Sequence, residues 1–267
     1  MIREPGHSIL EARAIDKTFS SASRDIEALH DVSFSIPEGQ FVSLVGPSGC
    51  GKSTLLQILA GLARSTSGAV FLEGKPLVEP QPGKIAMVFQ DATLLPWKTS
   101  FDNVLFPLEI QGVAREERRA RAAAMLDLVG LTEFGERYPH ELSGGMKQRV
   151  AIARGLAQNP RIILMDEPFG ALDEQTRLKM GRELLRIWER TRKTIFMITH
   201  SLTEAIYLSD VVLVMSARPG RIVDVIPVDL PRPREYDVIG SAAFGALRNR
   251  IWHEVAGDDQ MLEHQGS

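Results

Sequence analysis

An α/β fold that opens with an antiparallel β layer and carries a helical subdomain inserted into its core is what this 267-residue sequence predicts. Three observations carry the expectation. The strand-like run Phe41-Val42-Ser43-Leu44-Val45 leads straight into a glycine-rich loop, Gly46 to Ser53, and then into the helical run Thr54-Leu55-Leu56-Gln57-Ile58-Leu59. From about Asp91 to Asn159 the chain turns mainly helical, most plainly from Glu116 to Val129, where Ala, Arg, Leu and Met recur at helical spacing. Short apolar runs of strand length then return at Ile162 to Met165, Thr194 to Thr199 and Val211 to Met215.

The remaining elements fall into place around these. Apolar residues alternate in Ile9 to Ile15 and again in Val32 to Ile36, the period of half-buried strands, with Ser20 to Arg24 as a polar turn between them. Val70 to Leu72 and Ile85 to Phe89 read as further strands. After Leu230 the run Pro231-Arg232-Pro233-Arg234 reads as an extended linker, because proline disfavours helix on both sides, and a helix follows around Ala242 to Ala256. The organisation expected is a single cassette over 1–230 with its helical subdomain inserted at about 91–160, then a C-terminal linker and helix over 231–267. No internal repeat or low-complexity tract is present in the sequence.

Composition excludes several classes of partner. Lys and Arg number 31 against 34 Asp and Glu, a net charge of −3, so the basic footprint of a nucleic-acid binder is missing. The one cysteine, Cys50, has no intrachain partner for a disulfide, which suits a reducing compartment. Residues 1–7 lack the apolar core of a signal peptide, and no run approaches the roughly 18 apolar residues of a membrane span. The expectation is a cytosolic chain whose link to a membrane runs through another protein.

Gly46-Pro47-Ser48-Gly49-Cys50-Gly51-Lys52-Ser53 matches the phosphate-loop pattern G-x-x-x-x-G-K-[ST]. Its glycines let backbone N–H groups approach phosphate oxygens, and the helix start beyond adds about half a positive charge. Lys52 would reach the β and γ phosphates, Ser53 would offer its hydroxyl to Mg²⁺, and Thr54 can bond the α phosphate. A glycine turn that merely starts a helix would not need the strand before it. Ile162-Ile163-Leu164-Met165-Asp166-Glu167 delivers two carboxylates at the C-terminal end of a strand, where ligands of open α/β sheets gather. Asp166 would steady magnesium and Glu167 would polarise the attacking water, although solvated loop carboxylates look the same in isolation. His200 and Gln90 also follow apolar strands. The histidine is either structural or faces the γ phosphate. The glutamine is either a surface residue or an amide that binds magnesium or water.

Leu142-Ser143-Gly144-Gly145-Met146-Lys147-Gln148-Arg149 offers a second phosphate-reading helix start, but without the lysine and the hydroxyl placed for magnesium. It cannot hold a nucleotide alone.

In this order, with Ala171-Leu172-Asp173 after the carboxylates, these residues resemble the ATP-binding subunits of ABC transporters over about residues 9–225. Phe89 to Trp97, Tyr138 to Leu142 and Glu167 to Asp173 are similar to the nitrate/sulfonate/taurine-type importer ATPases in particular. The resemblance implies a P-loop NTPase core of the ABC ATPase type, hydrolysing ATP with Mg²⁺. It further implies a head-to-tail homodimer in which Ser143, Gly144 and Gly145 contact the γ phosphate on the Lys52 loop of the other copy. Asp173 would lie near the dimer axis. Phe19 would stack on adenine where tyrosine is commoner, the alternative being a core phenylalanine. The apolar stretch Leu94-Leu95-Pro96-Trp97 would border the groove for a short permease helix, a role compatible with its alternative, burial against the helical subdomain. Partners implied are an integral-membrane permease and, indirectly, an extracytoplasmic solute-binding protein, with this subunit peripheral on the cytoplasmic face of the inner membrane.

Departures from the family pattern are Ser201 where aspartate is frequent, Gly170 where serine is frequent, and Lys147 where glutamine is frequent. The first two are expected to leave the chemistry untouched. Cys50 would pack under bound phosphate, or have its thiol activated by the helix start. A soluble ABC-type ATPase of translation or repair would carry two cassettes or a coiled-coil insertion, and a P-loop kinase or GTPase would not need Leu142 to Gln148. An exporter cassette is commonly fused to membrane helices. The solute is not legible: nitrate, an organosulfonate, taurine, bicarbonate and a thiamine precursor all stay open.

Overall fold

The computed structural model describes residues 8–20 and 25–263, so most of the polar turn expected at Ser20 to Arg24 lies outside the described residues. The chain folds into two compact units, one running to Gln81 and resuming at Thr194, the other Pro82–Lys193. The first unit begins with β1 (Ser8–Ser20), β2 (Asp25–Pro37), β3 (Phe41–Val45), α1 (Lys52–Leu59), β4 (Ser67–Leu72) and β5 (Lys75–Pro76). The second holds β6 (Ile85–Val88), α2 (Ser100–Ile110), α3 (Arg115–Leu128), α4 (Gly144–Ala157), β7 (Ile162–Asp166) and α5 (Glu174–Thr191). The chain then returns to the first unit with β8 (Thr194–Ile198), α6 (Leu202–Leu208), β9 (Val211–Met215), β10 (Ile222–Pro227) and α7 (Ala242–Glu263).

In the first unit β1 pairs antiparallel with both β2 and β4, giving the order β2-β1-β4-β5. The alternation read from the sequence has its cause here. Ile9, Leu10, Ala12 and Ile15 of β1 and Ala28, Leu29, Val32 and Ile36 of β2 are buried, and the alternation is broken at Ile9-Leu10 and Ala28-Leu29, where the β1–β2 register is irregular. Phe34 of β2 stacks on Phe196 of β8 with ring centroids 5.6 Å apart, joining this layer to the parallel strands. There β3 lies between β8 and β9, parallel to both, and β10 runs antiparallel to β9. All five residues of β3 are buried, which is why it reads as a continuous apolar run rather than an alternating one. Its one polar residue, Ser43, is satisfied by Ser209, Oγ to Oγ 2.5 Å.

The segment after Leu230 differs from a loose linker. Arg234 is 4% exposed, and its guanidinium donates to five carbonyl oxygens, those of Ile206, Tyr207, Ser209, Val228 and Leu230. Three of these acceptors sit at or beside the C-terminal end of α6, where carbonyls lack intrahelical partners and a cation is favoured. Arg232 adds a bond to Leu208 O (2.7 Å) and an ion pair with Asp210 (2.9 Å). Tyr207 donates back to Arg234 O at 3.0 Å, and Phe244 and Ile251 of α7 are buried.

In the second unit β6 and β7 pair in parallel, Ile85 opposite Ile162 through Val88 opposite Met165. Helices α2, α3 and α4 pack on one another, with Val104, Leu108, Ala122, Leu126, Val150 and Ala153 buried. A buried asparagine organises the entry to α2: Asn103 donates to the carbonyls of Leu95, Lys98 and Thr99 and accepts from Leu95 N at 2.8 Å. Helix α5, headed by Asp173, was not singled out by periodicity in the sequence.

Replacing Arg234 by alanine strands several buried carbonyls, and a loss of about 2–4 kcal/mol is expected. Urea unfolding should show it, whereas a midpoint within error of wild type would mean that water replaces the guanidinium without penalty.

Candidate functional site

Strand β3 ends at Val45 and the chain enters the glycine loop, where the backbone must pass close to other backbone. A Cβ on Gly46 would lie 2.6 Å from Met215 O, and one on Gly51 would lie 2.8 Å from both Ala28 O and Leu29 Cδ2. Gly51 also adopts φ +103 as the residue that heads α1, a conformation that side chains resist. No side chain caps this helix, so the loop leaves its first-turn amides to a ligand rather than to a serine or aspartate. Lys52 is buried, with Nζ 2.8 Å from Gly46 O and 2.7 Å from Pro47 O, so the ammonium sits inside the loop's own curve. Pro47 and Thr54 are partly exposed, and Ser48, Gly49 and Ser53 are exposed. A glycine loop that heads a helix, with one buried cation and an exposed serine, is chemically suited to a polyphosphate.

Cys50 is 1% exposed and its Sγ lies 3.8 Å from Lys52 Nζ. Burial pushes its thiol above the ordinary cysteine range, and the nearby ammonium opposes this only in part. Of the two readings open in the sequence, packing fits and an activated thiol does not.

Phe19, near the end of β1, is 48% exposed, with Lys17 Nζ 4.9 Å from its ring centroid. The core reading of this ring is thereby excluded, and its face suits a flat ligand. His200 follows β8 and is exposed, but both its neighbours are anchored. Thr199 Oγ1 donates to Glu204 Oε2 at 2.7 Å, and Ser201 caps α6 by accepting from Glu204 N at 3.3 Å. Capping explains the departure at Ser201, since serine and aspartate perform it about equally well.

The second unit gathers another set. Asp166 ends β7, and Glu167 follows with φ 43, an uncommon backbone for a glutamate. Gln90 lies beyond β6 and is exposed. Ser143 caps α4, its hydroxyl accepting from Met146 N at 3.3 Å, and both Ser143 and Gly144 are exposed. Gly145 is buried; a Cβ there would meet Thr176 Cγ2 and Met180 Sδ of α5 at 3.4 and 3.5 Å. A groove of about 370 Å³ is bounded by Gln90, Gly144, Lys147, Gln148, Pro168 and Leu172, so the expected Gln90 and signature residues share one surface. Asp173 caps α5 through Thr176 N at 3.0 Å, and hydrogen bonds from the Thr176 side chain and backbone hold its carboxyl below the usual carboxylate range.

A Cβ at Gly170 would lie 2.9 Å from Gln90 Nε2, the far end of a flexible side chain that can shift at little cost. Sequence reasoning missed how α4 holds the segment carrying Gln90: Gln148 Nε2 donates to Phe89 O at 3.0 Å, and Arg154 donates to Ala92 O and Thr93 O, each at 2.9 Å. Trp97 is 71% exposed, which excludes its burial against the helices, while Asn103 pins the surrounding turn.

Comparison with known proteins places these features in a family. A family model described as ABC transporter matches residues 29–170. The taurine import ATP-binding protein TauB of Rhizobium johnstonii is 53% identical over 209 residues, covering 78% of this chain and 79% of the relative. The nitrate import ATP-binding protein NrtD of Synechococcus elongatus is 41% identical over 253 residues, 92% of each. Among solved structures, the dimeric post-hydrolysis state of the ATP-binding cassette MJ0796 bound to ADP and Pi superposes with a TM-score of 0.72 at 35% identity, covering 83% of this chain and 100% of that one. The fold class expected from the sequence is thus borne out.

The buried, neutral thiol of Cys50 should resist alkylation. Iodoacetamide at pH 8 is expected to label the native protein at least about tenfold more slowly than the urea-unfolded chain, because only the exposed thiolate reacts. Mass spectrometry of timed samples reads the rates, and equal rates would remove the thiol from its packed position.

Proposed function

This chain belongs to the ABC transporter family as an ATP-binding protein, an ATPase coupled to transport, and from that premise we propose that it energises solute import through a separate membrane permease of the nitrate, sulfonate or taurine type. The observation that carries the reading is the start of α4. Ser143 and Gly144 are exposed at a helix N-terminus that has phosphate-reading amides and no lysine of its own. Such a half-site is useful only against a nucleotide held by another copy. The proposed assembly is therefore a head-to-tail homodimer that sandwiches two ATP molecules, each read by Ser143, Gly144 and Gly145 of the opposite copy, with Asp173 near the dimer axis. Among the described residues no helix is long and apolar enough to cross a membrane, so attachment at the cytoplasmic face is proposed to run through the permease. Exposed Trp97 is proposed to border its docking groove, and a solute-binding protein enters only through that permease.

The proposed chemistry is a water attack on the γ phosphorus. As the new P–O bond forms and the bond to the bridging oxygen breaks, Glu167 accepts the water's proton and ADP departs with its charge countered by Lys52. Backbone amides of Gly46 to Thr54 bind and orient the phosphates, Phe19 stacks on adenine, and His200 orients the γ phosphate. Ser53, Gln90 and Asp166 offer hydroxyl, amide and carboxylate oxygens, a hard donor set that fits Mg²⁺. When bound, that ion would neutralise phosphate charge in the developing transition state. ATP binding closes the dimer, and hydrolysis with product release reopens it.

Two substitutions test this on separate grounds. Glu167→Gln should keep ATP binding, accumulate an ATP-dependent dimer on size-exclusion chromatography and reduce turnover at least about a hundredfold, as loss of a general base implies. Wild-type turnover in that variant would end the assignment of Glu167. Ser143→Arg should abolish hydrolysis while leaving the monomer's affinity for ATP within about twofold, at the cost of about 1 kcal/mol from the lost helix cap. A collapse of monomer affinity would mean that the α4 start serves its own chain's site.

A further inference from the structure

Behind the glycine loop lies a short turn, residues 216–221, that none of the proposed chemistry uses. It is a closed structure in its own right: Ser216 N donates to Arg221 O at 2.9 Å, and Arg221 N donates to Ser216 Oγ at 3.0 Å. Gly220 clips it to β2 on both sides, donating to Ala28 O and accepting from His30 N, each at 3.0 Å. From this base Arg218 reaches the loop, where its Nη2 donates to Gly49 O at 2.9 Å. Gly220 lies close to the next carbonyl, since a Cβ built there would fall 2.2 Å from Cys50 O.

These contacts act on successive peptide units. In a planar trans peptide the C=O and the following N–H point in opposite directions. Holding Gly49 O on the guanidinium side therefore turns Cys50 N–H to the other side, and crowding at Cys50 O constrains Gly51 N–H in the same way. A phosphate loop works through the direction of its amides, and free rotation of a glycine-rich stretch would dissipate that direction. Gly49 has φ +76 and Gly51 φ +103, so this part of the loop has little intrinsic preference for the ordered conformation.

We propose that Arg218 is a positioning residue of the phosphate loop, orienting the Gly49–Cys50 peptide so that its N–H faces the nucleotide phosphates. The inference rests on the reading of Gly46 to Ser53 as the ATP site. Arg218 does not contact the reacting atoms, because its bond falls on a carbonyl. Its effect is expected on binding common to substrate and transition state, which raises KM and leaves kcat unchanged.

The test uses the full chain and compares wild type, Arg218→Ala and Arg218→Lys by steady-state ATPase kinetics and by nucleotide-free thermal unfolding. Arg218→Ala should raise KM for ATP by about three- to tenfold, the range for one charge-assisted bond at an exposed site. Its kcat should stay within about twofold of wild type, and its unfolding midpoint within error, since Arg218 is exposed. Arg218→Lys, which keeps the charge and one donor, should recover most of the loss. An unchanged KM in Arg218→Ala overturns the proposal, and so does a raised KM that appears only together with a lowered unfolding midpoint. Wild-type protein without measurable ATP turnover would instead overturn the assignment of the site itself, and this proposal with it.

Discussion

Backbone pressed against backbone at the glycine loop is the constraint on which the first unit depends. Met215 O at the end of β9, Ala28 O of β2 and the loop's own glycines approach so closely that a single methyl group at Gly46 or Gly51 has no room. Three stretches distant in sequence, around 28–30, 46–51 and 215–220, meet at the loop. The loop's shape in turn decides where α1 begins. A glycine and not a capping side chain heads the helix, and Lys52 curls back onto Gly46 O and Pro47 O. The packing that forbids side chains here is thus the packing on which the proposed phosphate site depends.

The second unit is organised by one helix. Ser143 heads α4, Gln148 holds Phe89 O one turn later, and Arg154 holds Ala92 O and Thr93 O further along. The segment carrying Gln90 is therefore bonded to the same helix that Ser143 heads.

Much of this was legible in the sequence, and what was not shares a physical cause. The glycine loop, the strand ending in Asp166 and the α4 start are local: each is a contiguous pattern whose chemistry requires neighbours in sequence. The buried strand β3 and the alternating β1 were equally plain, since burial on two faces or one writes itself as a run or an alternation. The contacts of Arg218, Arg234 and Gln148 were not legible because each side chain donates to backbone carbonyls brought near by the fold, and a backbone carbonyl carries no sequence signature. The pairs Pro231-Arg232 and Pro233-Arg234 illustrate the limit: proline announces an extended path correctly, but nothing in the letters says that both arginines are anchored on α6 and its edge.

That anchoring has a consequence for His200. Helix α6 is only seven residues long and would be marginal by itself. At its N-terminus Ser201 caps it and Thr199 bonds Glu204, so the two neighbours of His200 are tied to the helix. At its C-terminus Arg234 satisfies the carbonyls that the helix cannot, and Arg232 bonds Leu208 O and Asp210. Asp210 in turn accepts from Phe41 N, at the first residue of the strand that feeds the glycine loop. The C-terminal segment is therefore not an appendage to the first unit. It closes a chain of hydrogen bonds that starts at β3, passes through Asp210 and Arg232 to α6, and ends beside the histidine.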